Sequence, residues 1–435
     1  MFGRMSFGSL FVLALLAPGV CWAQPGYGYA PANGPSGPMM SPYSGQYVPQ
    51  YAAAPSANGG NNRTIYEEHP DDRGWLFEDS PLSKSLENSF RHAFFRTEYL
   101  LWSFGDPGNV VLGAPLLSGL DPRDPVNVPV NDRTTGAPVG LGIVPTLDSI
   151  QLSGNNGFRG TFGLPVGPGA FEASAFVFQT NSAQLNFTNS IQPVDPDDPF
   201  SVATFVAQPV LVEGALSAAS LMYDVSYEAV LKTSVWGTEA NYVFAPPNAG
   251  AGDFITFSPL LGVRYFNFRE SLNQTGVYRQ IDAIDPTVFN DVTSRIDAST
   301  INNSYGPQIG LRTEMAVSRL TVGAEPKVML GLNSYKANLY TQNILSDTEP
   351  TLSIQDKKTT FGPLADLKLY SRFAMTQNLH VFASYNLLWA GLITRPHNNI
   401  VYNTSVITGT GDFQQNVRAT DTVLQGLSFG AEFRY

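Results

Sequence analysis

From about residue 91 to the end, apolar and polar side chains alternate singly in a series of short stretches. Phe95, Thr97, Tyr99 and Leu101 fall on one side of an extended chain, and Arg96 and Glu98 on the other. Ile309, Leu311, Thr313, Met315 and Val317 oppose Gln308, Arg312 and Glu314. Leu367 and Leu369 oppose Asp366, Lys368 and Arg372, and Leu379, Val381, Ala383, Tyr385, Leu387 and Trp389 share one face. The final stretch puts Leu427, Phe429, Ala431, Phe433 and Tyr435 on one side and Ser428, Gly430, Glu432 and Arg434 on the other. A period of two is that of a β-strand.

Alternation alone fits a soluble sandwich as well as a membrane barrel. Three features favour the barrel. Aromatics on the apolar face gather at the expected strand ends (Tyr99, Tyr265, Trp389, Phe433, Tyr435), where rings suit a bilayer interface. The polar face carries full charges of both signs, which a soluble core would bury only at high cost. Connections come in two lengths that alternate: long at 105–156, 181–218, 270–303, 333–358 and 393–421, short at 165–169, 246–253, 318–319 and 375–378. Barrels of outer membranes have long outside loops and short periplasmic turns. The expectation is an all-β, up-and-down antiparallel transmembrane barrel over 91–435, with ten strands; a break at Lys232 to Ser234, with strands inside the second long loop, would make twelve.

The first 90 residues follow another pattern. Arg4, an apolar run from Phe7 to Val20 and the small-residue exit at Ala23 read as a secretory leader over 1–23, cleaved after Ala23; a lipoprotein signal at Cys21 is the rival, weakened by Pro18-Gly19-Val20 before it. Residues 24–79 begin as a Pro, Gly and Tyr mixture unable to bury enough apolar surface to fold, and predict a disordered periplasmic tail. Ser80-Pro81, with Leu82, Leu86 and Phe90 four apart, predicts a short helix over 80–90, packed on the first strand or plugging the barrel's inner mouth.

Composition narrows the class. Charged residues are 14% of the 435, and no stretch beyond the leader supplies the roughly 20 apolar residues of a membrane helix. The net charge of −11 makes nucleic acid an unsuitable partner. Cys21 is the one cysteine, so cleavage after Ala23 leaves no disulfide. The long connections carry a summed charge of −10, which leaves the wall almost neutral.

Several motifs resemble a known family. Gly157-Phe158-Arg159-Gly160-Thr161-Phe162-Gly163, Trp236-Gly237-Thr238-Glu239, Gly262-Val263-Arg264-Tyr265 and Gly306-Pro307-Gln308-Ile309-Gly310 occur in order. Gly323-Ala324-Glu325-Pro326-Lys327, Tyr385-Asn386-Leu387-Leu388-Trp389 and Arg395-Pro396-His397 follow. Together they resemble the planctomycete outer-membrane proteins of beta-barrel porin family seven. The resemblance covers about residues 91–435 and implies location and fold, without a substrate or catalytic residues.

No phosphate loop, dinucleotide fingerprint, zinc-protease motif or nucleophile elbow is present, and no enzyme, cofactor or metal site is expected. His380 and Ser384 share a strand face, the only placement that suits a lumen hydrolase, and such a pair also needs an orienting acid and an oxyanion site near the bilayer surface. Asp195-Pro196-Asp197-Asp198-Pro199 lacks the spacing of a calcium loop and reads as a solvated acidic segment. The candidate working residues are the inward charges Arg96, Glu98, Arg159, Glu239, Arg264, Arg312, Glu314, Glu325, Lys327, Asp366, Lys368, Arg372, Glu432 and Arg434. They should pair across strands and fill a lumen of ten strands. Leu427, Phe429, Phe433 and Tyr435 are the candidate assembly signal, read by the barrel-assembly machinery. Function then divides between a structural barrel or weakly cation-preferring pore in outer-membrane lipid, a surface protein whose acidic loops hold ligands or small cations, and an outer-membrane hydrolase.

Overall fold

The computed structural model describes residue 90 and residues 92–435, apart from 117–127, 132–137, 150–151, 153, 189–203, 248–253, 283–284 and 286. The leader, the tail and all of the 80–90 helix except Phe90 lie outside the described residues, as does the Asp195–Pro199 segment.

One 13-stranded sheet dominates. Its strands are β1 (Phe94–Phe104), β2 (Asn155–Val166), β3 (Gly169–Phe178), β4 (Asn181–Thr188), β5 (Ser226–Phe244), β6 (Ile255–Ile281) and β7 (Phe289–Val317). They continue with β8 (Leu320–Met329), β9 (Leu332–Gln342), β10 (Leu352–Phe361), β11 (Leu364–Ala374), β12 (Leu379–Thr394) and β13 (Ala419–Arg434). Three consecutive pairs are segments of one longer strand: β3 and β4 both run along β5, β8 and β9 along β7, and β10 and β11 along β9 and β8. Ten continuous strands therefore make the ring, all antiparallel. Lys232 to Ser234 sits inside β5 without a break. The twelve-strand alternative is thereby excluded.

Closure joins the first strand to the last. β1 pairs with β13 from Phe94↔Arg434 to Phe104↔Leu424, and on its other edge with β2. The Tyr435 amide donates to the Ala93 carbonyl at 3.1 Å, so pairing continues to the last residue. Gly430 is needed here for close approach, because a Cβ at that position would collide with the Thr97 carbonyl.

Two expected long loops are mostly strand. β6 and β7 form a hairpin of 27 and 29 residues around a tip at 282–288, and β9 and β10 leave only 343–351 between them. A membrane barrel strand needs about 9–11 residues. At roughly 3.3 Å per residue, β6 reaches on the order of 90 Å. Most of it stands outside any bilayer.

The outward side chains show where the bilayer ends. Along β6 they read Ile255, Phe257, Leu261, Val263 and Tyr265, then change to Arg269, Ser271, Asn273 and Arg279. Along β7 they read Val317, Met315, Leu311, Ile309 and Tyr305, then Ser299, Asp297, Arg295 and Asp291. Tyr265 pairs with Tyr305 across the two strands, and its ring lies 5.0 Å from that of Trp236. Ile255 to Tyr265 is 11 residues, the length of one span. Tyr99 and Tyr265 thus lie in mid-strand rather than at strand ends. They mark the outer interface of the membrane because the strands continue beyond it.

Inside the ring the order is reversed. The membrane half has charged side chains within, and the upper half has Phe266, Phe268, Leu272, Tyr278, Ile296 and Val292 buried within. That upper half is a water-soluble barrel continuous with the membrane barrel. Its mouth holds a four-stranded sheet from the first two long connections: Val128–Asn131, Pro138–Ile143, Thr204–Pro209 and Ser220–Tyr223. The fifth connection joins it through Asn403–Thr404, which pairs in parallel with Leu211–Val212.

Candidate functional site

The charged lumen is built by strand parity. β1 sends Arg96 and Glu98 inward, β2 Arg159, β5 Glu239, β6 Arg264 and β7 Arg312 and Glu314. β8 adds Glu325 and Lys327, β11 Asp366, Lys368 and Arg372, and β13 Glu432 and Arg434. Each charge from the sequence reading makes at least one ion pair.

Near the periplasmic end, Glu432 takes Arg96 at 3.3 Å, Arg434 at 2.7 Å and Arg372 at 3.8 Å. Next, Glu98 meets Lys368 at 3.1 Å, Arg96 at 3.3 Å and Arg159 at 3.4 Å. Across the lumen, Asp366 and Glu239 share Arg264 and Lys327, and Lys327 also reaches Glu325 at 3.2 Å. Arg312 joins Glu325 to Glu172, holding the latter with two parallel bonds of 2.7 Å. Tyr370 and Arg372 both donate to Glu314.

Glu172 is the member that the sequence reading missed. It follows the short turn into β3 with Ala170, Ser174 and Phe176 on its face, a mixture that disguises the parity. With it the network contains eight cations and seven anions, all inward. The charges are neutralised within the wall, where low dielectric makes an unpaired ion costly.

Little space remains. The cavity among Arg96, Arg159, Glu172, Arg264, Lys327 and Lys368 measures about 30 Å³. That is room for about two waters. Above it lies an aromatic layer: Trp102, Phe176 and Phe178 form a cluster with ring centroids 5.1–6.4 Å apart, which continues to Phe104 and Phe266. The Trp102 indole donates to Ser428 Oγ at 3.2 Å.

A second ion pair closes the upper half. Arg395 holds Glu270 through Nε to Oε2 at 2.8 Å and Nη2 to Oε1 at 2.7 Å, and its Nη1 donates to the Gly105 carbonyl at 3.0 Å. Both fall within expected long connections, 270–303 and 393–421. Glu270 is in fact the fully buried inward residue of β6, and Arg395 enters the barrel mouth from the fifth connection. Beside Arg395, the 3₁₀ turn Pro396–Asn398 buries His397, whose imidazole burial pushes down to about 3, helped by the Arg395 charge.

Buried amides and phenols tie the mouth sheet to the wall. Tyr223 Oη donates to Gln208 Oε1 at 3.2 Å, and Gln208 Nε2 to Gln274 Oε1 at 2.7 Å. Tyr227 Oη donates to the same Gln274 oxygen at 2.9 Å, and Gln274 Nε2 donates to Tyr402 Oη at 2.9 Å. Burial raises both the Tyr227 and Tyr402 phenols well above their ordinary range, so both remain protonated, Tyr227 as a donor and Tyr402 as an acceptor. Outside, the Glu213 carboxylate accepts from Ser405 Oγ and the Val406 and Ile407 amides, which lowers its pKa and fixes the exposed tip of the fifth connection.

His380 and Ser384 both point into the lumen, but the hydroxyl of Ser384 accepts from Asn386 at 3.0 Å. Arg434, Glu432 and Arg372 are the charges that face His380 from the neighbouring strands. Among the described residues no three His, Cys, Asp or Glu side chains gather as metal ligands. Leu427, Phe429, Phe433 and Tyr435 are exposed on the outer face of β13.

A family model described as Putative beta barrel porin-7 (BBP7) matches residues 94–435. No curated protein matches the chain. Among solved structures, the outer membrane protease OmpT from Escherichia coli is similar over 80% of this chain and 98% of that chain, at 9% identity and a TM-score of 0.42. A Pseudomonas aeruginosa FadL homologue is similar over 83% of this chain and 95% of its own, at 11% identity and a TM-score of 0.20. The P. putida toluene transporter TodX is similar over 79% and 90%, at 7% identity and a TM-score of 0.19. At these identities no residue role passes from them to this chain.

Proposed function

The chain belongs to the beta barrel porin-7 family, and from that membership and its lumen geometry we propose an outer-membrane barrel that is closed to solutes at rest and non-enzymatic. The paired lumen charges around a cavity of about 30 Å³ carry this reading. A solute crossing here would have to separate ion pairs in low dielectric, displace the Trp102 and Phe178 layer and open the mouth sheet. Any residual ion leak favours cations, because the net negative charge lies in the outer connections. Liposome swelling tests the proposal. Vesicles carrying the refolded protein should swell in isotonic arabinose no faster than empty vesicles, and swelling as fast as with an open porin would sink it.

One observation favours a second reading, in which the extracellular half is a binding or adhesion head. β6 and β7 carry it far beyond the length that a span requires, and its fifth-connection tip exposes Val406 and Ile407 at 75% and 88%. A tip held this firmly suits contact with an external surface. Val406→Asp combined with Ile407→Asp should reduce surface attachment of cells while leaving the barrel folded. Unchanged attachment removes the tip from this reading.

A further inference from the structure

The lipid-facing wall is not uniformly convex. Across five strands, one row of paired residues reads Met315, Val322, Ser371, Ala383 and Phe429. Small Ser371 and Ala383 are flanked by large side chains, and Leu369 and Tyr385 stand on the next row outward. The result is an open groove of about 590 Å³ on the outer face, close to the periplasmic rim.

The rim below it carries one unusual group. Among the described residues of the periplasmic turns, Arg319 is the only charged side chain. It lies between β7 and β8, it is exposed, and its carbonyl accepts from the Ala374 amide at the end of β11. None of the ion pairs among the described residues includes it. The groove strands and the Arg319 turn are therefore the same structural unit.

We propose that this groove binds one phospholipid of the periplasmic leaflet, with an acyl chain against Ser371 and Ala383 and its phosphate on Arg319. Depth supports the assignment. Arg319 lies three residues before Val322, the β8 partner of Ser371, or about 10 Å along the strand. Passing outward from the rim, the surface thus offers a cation, then a trough whose first row holds the Ser371 hydroxyl beside Ala383 and whose next row is Leu369 and Tyr385. A phospholipid presents an anionic phosphate, an ester carbonyl and an acyl chain in the same order. A second barrel would bring apolar wall to the trough but would leave Arg319 without an anion.

Native mass spectrometry of the full chain in mild detergent with added phosphatidylglycerol tests this. The wild type should retain one lipid per chain under activation that strips detergent. Arg319→Gln should lower the retained fraction about fivefold, the effect of one basic side chain at a headgroup. Ser371→Leu with Ala383→Leu, which fills the trough with apolar groups, should lower it as well. Heat-modifiable gel migration verifies that each variant is folded, and Arg319→Gln decides alone if the trough variant is not. Equal retention in wild type and Arg319→Gln, no retained lipid in wild type, or chain pairs that the trough variant abolishes would each overturn the proposal.

Discussion

Arg395→Met isolates the energetics of the head in a single change. Glu270 is 0% exposed and Arg395 4%, and the two parallel bonds of 2.8 and 2.7 Å leave the carboxylate one further donor, Thr233 Oγ1 at 3.2 Å. Methionine keeps most of the side-chain length but withdraws the charge. A buried carboxylate then faces low dielectric with one neutral hydroxyl, a loss of about 3–5 kcal/mol. Adding Glu270→Met removes the stranded charge, so the double variant should return to within about 1.5 kcal/mol of wild type or exceed it. The assay is urea unfolding of the detergent-refolded protein, followed by tryptophan fluorescence and fitted by linear extrapolation. A single variant that costs less than about 1 kcal/mol, or a double variant as weak as the single, would refute the buried-pair reasoning.

Acid should weaken the same region. Burial and Arg395 hold the His397 imidazole down to about 3, whereas an unfolded histidine titrates near 6.5, so between these values the unfolded chain binds the extra proton. This contribution is complete above pH about 6.5 and is lost as pH falls toward 3. The urea midpoint should therefore decrease from pH 7.5 to 5 and decrease less in His397→Phe; a midpoint that rises on acidification would contradict the assignment. Gly430→Val should block the β1–β13 seam by colliding with the Thr97 carbonyl, giving protein that migrates identically with and without boiling. A heat-modifiable Gly430→Val barrel would show that the seam tolerates the side chain.

The membrane half was legible because its two faces differ so strongly. Outward Ile309 and Leu311 beside inward Arg312 leave one parity possible, and the same holds for Phe433 beside Glu432 and Arg434. The upper half hid its strands. There the outward residues are Asn, Ser, Thr and single charges, and inward Asn302, Thr300 and Ser304 share a face with Ala298 and Ile296, so contrast along 290–305 is weak. Tertiary packing supplies what the local pattern lacks: Asn302 accepts from the Thr394 amide and from Asn333, contacts made by residues far apart in the chain. Glu270 and Arg395 were illegible as partners for the same reason, since 125 residues separate them.

The central claim is that the paired lumen charges and the mouth sheet close this barrel. Single-channel recording of the purified full chain in a planar bilayer at neutral pH measures that directly. The account predicts successful insertion with no steady conductance at moderate voltage, and cation preference in any brief opening. A large, stable open channel in the wild-type protein would contradict it.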